Sequence, residues 1–424
     1  MPERKHAPAI VDAIDFHLQL KPYRKITLRN GVDVIAIDAG AEEVMMIEWV
    51  YFSGNWFEEQ NLIAATANYL LKNGTTQKTA FQINEHFEYY GSYLSRACFN
   101  ETASITLHSL TKHIGELLPV MRELLTDSRM PEEELAIFKQ NSKQRLKVSL
   151  KKSDFVAGRL IDACLYGDQH PYGRYTRMED FDAINRDDVD AFYKKYYRKG
   201  KFIVFAAGRL PSNLEELLDK NFGDLPQNQE PVQDISLHPA SEKKYRIIND
   251  AAGVQGSIRI ARPFPNRHHP DFLKAQVLNA LLGGFFGSRL MSNIREDKGY
   301  AYGVQSYMQN HIHHSAWMIS TEAGRDVSEA TITEVYKEMQ QLREGFIPDD
   351  ELALVKNYLM GSLLGDLDGP FQILGRWKNI ILNNLGESYF YNSINAIKSV
   401  TTDELRELAN KYLQPEQFYE IVVV

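Results

Sequence analysis

This chain of 424 residues has little of several features that would narrow its class at once. It has two cysteines, Cys98 and Cys164, which are too few for a disulfide framework and favour a reducing setting. Its apolar runs, such as Ile421 to Val424, are far too short to cross a membrane. With 48 Lys and Arg against 56 Asp and Glu, its net charge is −8, which argues against a nucleic-acid partner.

The N-terminus, MPERKHAPAIVDAIDF, also lacks the pattern of a secretory signal, because acids interrupt its only apolar patch. We therefore expect a cytoplasmic protein without a membrane partner. A periplasmic location stays open if a signal upstream of this sequence has been removed.

The chain repeats part of its pattern at long range. PEEELAIFK begins at residue 131, and PDDELALVK begins at residue 348, 217 residues later. In the same order, one helical pattern ends in Lys195-Tyr196 and a second ends in Lys411-Tyr412, and an apolar strand follows each of them. Two matches at nearly the same offset predict a duplicated domain.

The stretch between the two copies is rich in proline and polar residues and has no helical periodicity. We therefore predict a domain over residues 1–225, a linker over 226–241 and a homologous domain over 242–424. Within each half, neighbouring strand patterns precede long helices. The alternation of Tyr93 to Leu110 predicts a hairpin, and the apolar spacing of Glu58 to Lys72 and of Glu132 to Leu150 predicts helices. This order predicts an α+β fold, in which an antiparallel-rich mixed sheet is covered on one face by helices.

One segment of the second half combines two polar side chains with a glycine-rich turn. Arg295 and Tyr302 lie seven residues apart, directly after the glycine-rich turn formed by Gly283, Gly284, Phe285, Phe286 and Gly287. The glycines are expected to end a helix and to permit a close approach of two backbones. A phosphate-binding loop is disfavoured, because neither GxxxxGK[ST] nor GxGxxG is present.

Together these features resemble the pitrilysin and mitochondrial-processing-peptidase family of zinc metallopeptidases, over nearly the whole chain. The resemblance implies two homologous α+β domains that together form half of a chamber. Its most specific marks are GGFFGSRL, IREDKGYAY, the Gly54 to Trp56 entry into a helix, the LLKNGT helix end at Leu70 to Thr75, and Gly91 before a strand.

The family's zinc motif, H-x-x-E-H, is absent from the place that the resemblance assigns to it. The motif needs two His on one helical face to bind zinc and a Glu beside them as general base. This chain has Ala64, Ala67 and Asn68 there, and neither His nor Glu occurs anywhere from Gln60 to Gln82. The helix expected to supply the third ligand, Lys139 to Ser153, contains no acid and six cations. We therefore predict no metal on this chain.

In the family, an Arg and a Tyr spaced as Arg295 and Tyr302 help to hold the substrate backbone and to stabilise the charge that develops on the scissile carbonyl. The resemblance also places the glycine turn, with Gly283, Gly284 and Gly287, near the substrate. It further implies that a strand edge accepts the peptide as an added strand. The residues of that edge in this sequence are Leu94, Ser95, Arg96 and Ala97, although an ordinary hairpin accounts for them equally well.

The resemblance thus implies a subunit that is inactive alone, binds peptide and works in a heterodimer with a zinc-bearing homologue. A homodimer is expected when the chain is alone. Two alternatives stay open: a purely structural or peptide-binding homologue, and a stand-alone zinc metallopeptidase with displaced ligands. The cluster of His311, His313 and His314 favours an exposed hairpin tip, or an adventitious metal site, over a physiological one.

Overall fold

The structure is a computed structural model that describes residues 11–424. The first part of the N-terminal segment analysed above for a signal, residues 1–10, lies outside the described residues. No helix between residues 11 and 424 combines the length and the apolar character needed to cross a bilayer.

Eleven strands lie within the described residues, in a six-stranded sheet and a five-stranded sheet. In chain order they are β1 (Arg24–Thr27), β2 (Asp33–Asp38), β3 (Val44–Tyr51), β4 (Tyr93–Cys98), β5 (Ala103–Leu110), β6 (Phe202–Gly208), β7 (Lys244–Ile247), β8 (Gln255–Phe264), β9 (Ala301–Asn310), β10 (Ser315–Gly324) and β11 (Tyr419–Val423).

Fourteen α-helices accompany these strands between residues 11 and 424. They are α1 (Ile63–Leu70), α2 (Ala80–Tyr89), α3 (Ile114–Asp127), α4 (Glu132–Ser149), α5 (Ser153–Tyr166), α6 (Met178–Ala183), α7 (Arg186–Tyr196), α8 (Leu214–Phe222), α9 (Phe272–Asn279), α10 (Ser328–Glu344), α11 (Asp349–Gly365), α12 (Pro370–Leu382), α13 (Ser388–Ser399) and α14 (Thr402–Tyr412). Two π-helical segments, Ala280–Gly284 and Met291–Asp297, follow α9.

The six-stranded sheet has the order β1-β2-β6-β3-β5-β4. Its β2–β6 pair is parallel and its other pairs are antiparallel. The tight turn between β1 and β2 is possible because Gly31 adopts a φ of 84°, in the left-handed region that favours glycine. Helices pack against this sheet, as where Trp49 of β3 lies 5.2 Å from Phe222 of α8 between ring centroids.

The five-stranded sheet, in the order β7-β11-β8-β10-β9, repeats the connectivity of the first sheet without the additional strand β1. Its first pair, β7–β11, is parallel and its other pairs are antiparallel, as in the matching strands β2, β6, β3, β5 and β4. The predicted fold class, two antiparallel-rich mixed sheets covered by helices, is confirmed by this architecture.

The described chain divides into two compact units. We call residues 21–242 with 369–379 the N-terminal unit, and residues 11–20 with 243–368 and 380–424 the C-terminal unit. Each unit holds one of the two sheets. A short segment from near each end of the sequence therefore belongs to the unit formed mainly by the other half.

Candidate functional site

Arg295 and Tyr302 lie on two consecutive elements of the C-terminal unit. Arg295 belongs to the π-helical segment Met291–Asp297, and Tyr302 is the second residue of β9. The turn between them is held by backbone contacts, since the Tyr300 N–H donates to the Ile294 carbonyl over 3.0 Å. The helical segment and the strand are thus tied together.

Both side chains are available to a ligand. The Tyr302 side chain is 90% exposed. The Arg295 guanidinium lies over the Phe286 ring, 4.7 Å from its centroid, and no carboxylate of the described residues forms an ion pair with it. A cation stacked on a ring keeps its in-plane N–H donors free for an oxyanion. The pair can therefore act as hydrogen-bond donors toward a peptide.

The glycine turn positions β9 against the helix that precedes Arg295. A Cβ added at Gly283 would lie 2.8 Å from the Ser306 Cβ and 2.9 Å from the Leu290 Cδ1, so only glycine lets β9 approach this closely. The Ser306 hydroxyl donates to the Asn279 side chain over 2.6 Å and accepts from the Trp317 indole N–H over 2.8 Å. This network fixes the strand that carries Tyr302.

The other two glycines of the turn have different surroundings. A Cβ at Gly284 would lie 3.3 Å from the Asn279 carbonyl oxygen, which is a tight but adjustable contact. A Cβ at Gly287 would meet the Phe285 ring at 2.8 Å. Phe285 is itself stacked on Tyr358 of α11 at 4.6 Å, so Gly287 keeps this aromatic stack in place.

The strand that carries Leu94, Ser95, Arg96 and Ala97 is β4, which lies at the edge of the six-stranded sheet. Leu94 is buried and the other three side chains are half-buried. Among the described strands β4 pairs only with β5, so its other side presents backbone groups without a strand partner. In the C-terminal unit, β9 occupies the matching edge.

The degenerate zinc-motif positions lie inside the hydrophobic core. Ala64 and Ala67 of α1 have no exposed surface, and Asn68 is buried. The Asn68 side-chain amide donates to the Ser104 carbonyl over 3.2 Å and to the Tyr197 hydroxyl over 3.1 Å. The positions that hold metal ligands in the family thus carry apolar packing and an amide whose hydrogen bonds stay within the protein.

Glu58 is a buried acid near this helix that the sequence did not single out. Its carboxylate accepts from the Ala64 N–H over 2.8 Å and from the Leu62 N–H over 3.2 Å, and the Arg174 guanidinium lies 2.7 Å away. Burial, only partly offset by these partners, raises the pKa of Glu58 to about 7. The signal available in the sequence was an acid just before a helix start.

This capping explains a shorter helix than the periodicity indicates. Apolar spacing continues from Glu58 to Lys72, but α1 begins only at Ile63. Leu62 adopts a φ of 77°, which cannot continue into a helix, and Glu58 folds back to cap the following turn. Glu58 therefore lies in the loop before α1, and the helix begins only at Ile63.

Cys98 is a half-buried residue at the end of β4. Burial, together with the nearby charge of Glu58, raises the pKa of its thiol to about 12. A thiol that stays protonated near neutral pH is a poor nucleophile. The residue thus has the environment of a structural strand thiol.

Most of the basic segment Lys139 to Ser153 belongs to α4, and α4 lies beside α1, since the rings of Tyr69 and Phe138 are 4.8 Å apart. Lys143 pairs with Asp182, and the Lys139 ammonium donates to the Ile184 carbonyl. In the part of the chain that the structure describes, no group of three or more His, Cys, Asp or Glu side chains is arranged to hold a metal ion.

The histidine cluster lies in the turn between β9 and β10. The His311 N–H donates to the His314 carbonyl over 3.0 Å, which closes this turn. His311, His313 and His314 are half-buried, and they do not form part of any metal-binding group among residues 11–424.

The fold and the site define a class: an α+β chain with two sheets of matching strand order, whose C-terminal unit presents an Arg and a Tyr near a strand edge. Residues 183–359 match the family described as "Peptidase M16 inactive domain". This match covers less than half of the chain and agrees with the resemblance to the pitrilysin and mitochondrial-processing-peptidase family of zinc peptidases, whose H-x-x-E-H motif this chain lacks.

Three relatives illustrate the similarity. An uncharacterized zinc protease of Bacillus subtilis, YmxG, is 22% identical over 393 residues, which are 92% of this chain and 95% of that protein. The crystal structure of a peptidase M16 inactive domain from Pseudomonas fluorescens has a TM-score of 0.84 at 22% identity, and covers 95% of this chain and 98% of its own. The periplasmic protease PqqL of Escherichia coli has a TM-score of 0.77 at 16% identity, and covers all of this chain with 48% of its own.

Proposed function

We propose that this chain is the non-metal-binding subunit of a processing-peptidase-like zinc endopeptidase. It binds a peptide substrate and donates Arg295 and Tyr302 in trans to a zinc-bearing homologue, which hydrolyses the peptide bond. The two subunits form a heterodimer, and this chain is inactive alone.

The observation that carries this proposal is the availability of the Arg–Tyr pair. Tyr302 is 90% exposed although it begins a strand, and Arg295 is stacked on Phe286 without a carboxylate partner among the described residues. A structural role alone does not explain why an exposed phenol and a guanidinium without a carboxylate partner lie on adjoining elements. Donors of this kind suit the stabilisation of a developing oxyanion.

The N-terminal unit supports a division of labour between two chains. Ala64, Ala67 and Asn68 leave α1 without zinc ligands, so the attacking water must be activated elsewhere. The match to about half of PqqL supports pairing, because a chain of that length has room for two copies of the present fold. The partner would supply the zinc-bound water and the general base.

The substrate would lie along an exposed strand edge. An extended peptide can add to β4 through backbone hydrogen bonds, with Leu94, Ser95, Arg96 and Ala97 beside it. The turn of Gly283, Gly284 and Gly287 would lie close to the reacting bond. Short or unfolded peptides are the expected substrate class, because only an extended chain can pair with a strand edge.

The test is a mixing experiment with a homologue from the same organism that carries H-x-x-E-H, sought first in the neighbouring reading frames. Peptidase activity is measured for this chain, for the homologue and for the mixture, with a quenched fluorescent peptide. We expect activity in the mixture only, and we expect Arg295→Ala to lower its kcat by about a hundredfold. Tyr302→Phe, which removes one donor and keeps the ring, should lower kcat by about tenfold or more.

Matched controls are Arg406→Ala and Tyr391→Phe, which change exposed residues of the same unit far along the sequence from the pair. Both should leave the activity of the mixture unchanged. Full activity of the Arg295→Ala mixture would disprove the donation in trans.

Two other functions give different results in the same assay. A structural or peptide-binding homologue predicts a stable homodimer and no gain of activity on mixing. A stand-alone zinc enzyme with displaced ligands predicts activity of this chain alone. It also predicts stoichiometric zinc after soaking, and less than about a tenth of an equivalent would exclude it.

A further inference from the structure

We propose that Arg96 binds the carboxylate of an Asp or Glu side chain in an extended peptide that lies along the free edge of β4. This site would select acidic segments as substrates. The inference rests on the peptide binding of the proposed function, but not on the donation of Arg295 and Tyr302.

Arg96 is a half-buried cation with unused donors. Its Nη1 donates to the Tyr69 carbonyl and, over 3.2 Å, to the Asn73 side-chain oxygen. Its guanidinium carbon lies 4.8 Å from the centroid of the Tyr69 ring. In the described chain, Nε and Nη2 have no hydrogen-bond acceptor. Three of the five N–H groups of this guanidinium are therefore available.

The charge of Arg96 also lacks a counterion. No carboxylate between residues 11 and 424 forms an ion pair with it, and Glu134 reaches its network only by accepting from the Asn73 amide over 2.7 Å. Burial lowers the pKa of Arg96 to about 10. A partly desolvated cation without a counterion carries a cost that a bound carboxylate would relieve.

The surroundings add positive charge. The Lys72 ammonium has a lowered pKa, first because of burial and then because of repulsion by Arg96, while Glu88 acts in the opposite direction. α4 lies beside α1, and its part from Lys139 to Ser149 has no acid, whereas its first turn carries Glu132, Glu133 and Glu134. A carboxylate is the ligand group that such an environment favours.

The geometry of the edge identifies the occupant as an extended chain. Side chains alternate along a strand, so Arg96 lies on the same face of β4 as buried Leu94, the face on which α1 packs. In an added strand, the residue opposite Arg96 would point to this face, with its Cβ about 5 Å away. An Asp or Glu there can form two hydrogen bonds with the free side of the guanidinium.

A purely structural role competes with this proposal. Tyr69 lies in the last turn of α1, where carbonyl groups lack helical partners and a cation is favourable. Arg96 could serve only to cap this helix. The test must therefore vary the charge of the peptide, because an arginine that only caps α1 would not distinguish a charged peptide from a neutral one.

The experiment measures the binding of fluorescein-labelled, C-terminally amidated ten-residue peptides to the full chain by fluorescence anisotropy. Each peptide carries one Glu in a neutral Thr- and Val-rich sequence, at positions three to eight in turn, and has a Gln twin. We expect one Glu position to bind about tenfold more tightly than its Gln twin. Arg96→Met should bring that ratio to about one, and Arg96→Lys should restore part of it.

The control variant is Arg145→Met, an exposed arginine of α4, which should keep the wild-type ratio. Equal affinity of every Glu and Gln pair for the wild-type chain would disprove the site, as would a ratio that survives in a folded Arg96→Met variant. Circular dichroism establishes whether Arg96→Met is folded. If it is unfolded, the ratio of Glu to Gln peptide affinities in the wild type and in Arg96→Lys decides between the site and its absence. Tighter binding that requires a free C-terminal acid instead of the Glu would also disprove it.

The two proposals fail in distinguishable ways. Absence of binding by any of the peptides would overturn the peptide binding of the proposed function together with this site. Binding without dependence on Glu would overturn this site alone.

Discussion

At the scale of single residues, Glu58 combines a structural role with a perturbed charge. Its carboxylate caps α1 through the Leu62 and Ala64 N–H groups, and Arg174 lies 2.7 Å away. These partners favour the ionised form, but burial opposes it more strongly and raises the pKa to about 7. The group should therefore titrate close to neutral pH.

This titration predicts a pH-dependent stability that Glu58→Gln removes. Because the pKa rises from 4.5 to about 7 on folding, the stabilising contribution is full below about pH 4.5 and is lost as the pH rises to about 7. The free energy of unfolding of the wild type, relative to the variant, should fall by about 1–3 kcal/mol between pH 4.5 and 7.5.

Urea unfolding of both proteins at several pH values measures this difference. Other carboxyl groups titrate in both proteins and cancel in the comparison. A difference that stays constant over this range would contradict the raised pKa.

At the scale of elements, the contact of Gly283 with β9 decides where Tyr302 lies. We predict that Gly283→Ala destabilises the protein by about 1–3 kcal/mol, because its Cβ would meet Ser306 and Leu290 within 3 Å. Gly283→Ala should also lower the peptidase activity of the mixture with the zinc-bearing homologue. Thermal unfolding and the mixing assay measure the two effects.

The matched control is Gly361→Ala, in an exposed position of α11 where a Cβ meets no atom within 4 Å. This change should stabilise the protein by about 0.4–1 kcal/mol, because it restricts the unfolded chain. Equal changes in stability for the two substitutions would show that the close packing of β9 does not require a glycine at position 283.

The bounds of individual elements show which parts of the fold the sequence pattern predicts. Alternation predicted the β4–β5 hairpin, and periodicity with an acidic first turn predicted α4, which begins at Glu132 as expected. The start of α1 was predicted five residues too early, because Glu58 bonds to the turn instead of entering it. A cap made by a side chain from a preceding loop leaves no periodic signal.

At the scale of the whole molecule, the segment 369–379 belongs to the N-terminal unit. The Lys378 ammonium lies 2.8 Å from the carboxylate of Glu48, a buried residue in the middle of β3. The Trp377 indole N–H donates to the Lys21 carbonyl over 2.8 Å. A segment late in the sequence thus supplies a counterion to the first sheet.

We predict that Lys378→Met destabilises the protein by about 1–3 kcal/mol, because it leaves the Glu48 carboxylate buried without its cation. The double variant Lys378→Met with Glu48→Gln should recover much of this loss, since the uncompensated charge is then gone. Urea unfolding of the single and double variants measures the coupling. Additive effects would contradict a direct pair.

The sequence by itself determined the fold class, the long-range repeat and the absence of zinc ligands from Gln60 to Gln82, because these depend on local pattern and residue type. That the two domains are homologous with a linker at 226–241, and that Arg295 and Tyr302 act on a partner's substrate, stay predictions.

Only the tertiary structure decided that Tyr302 is exposed, that Arg96 lacks a counterion and that Lys378 neutralises Glu48. Each of these facts depends on which distant segments meet after folding. Burial and ion pairing are properties of that long-range packing, so no window of the sequence contains them.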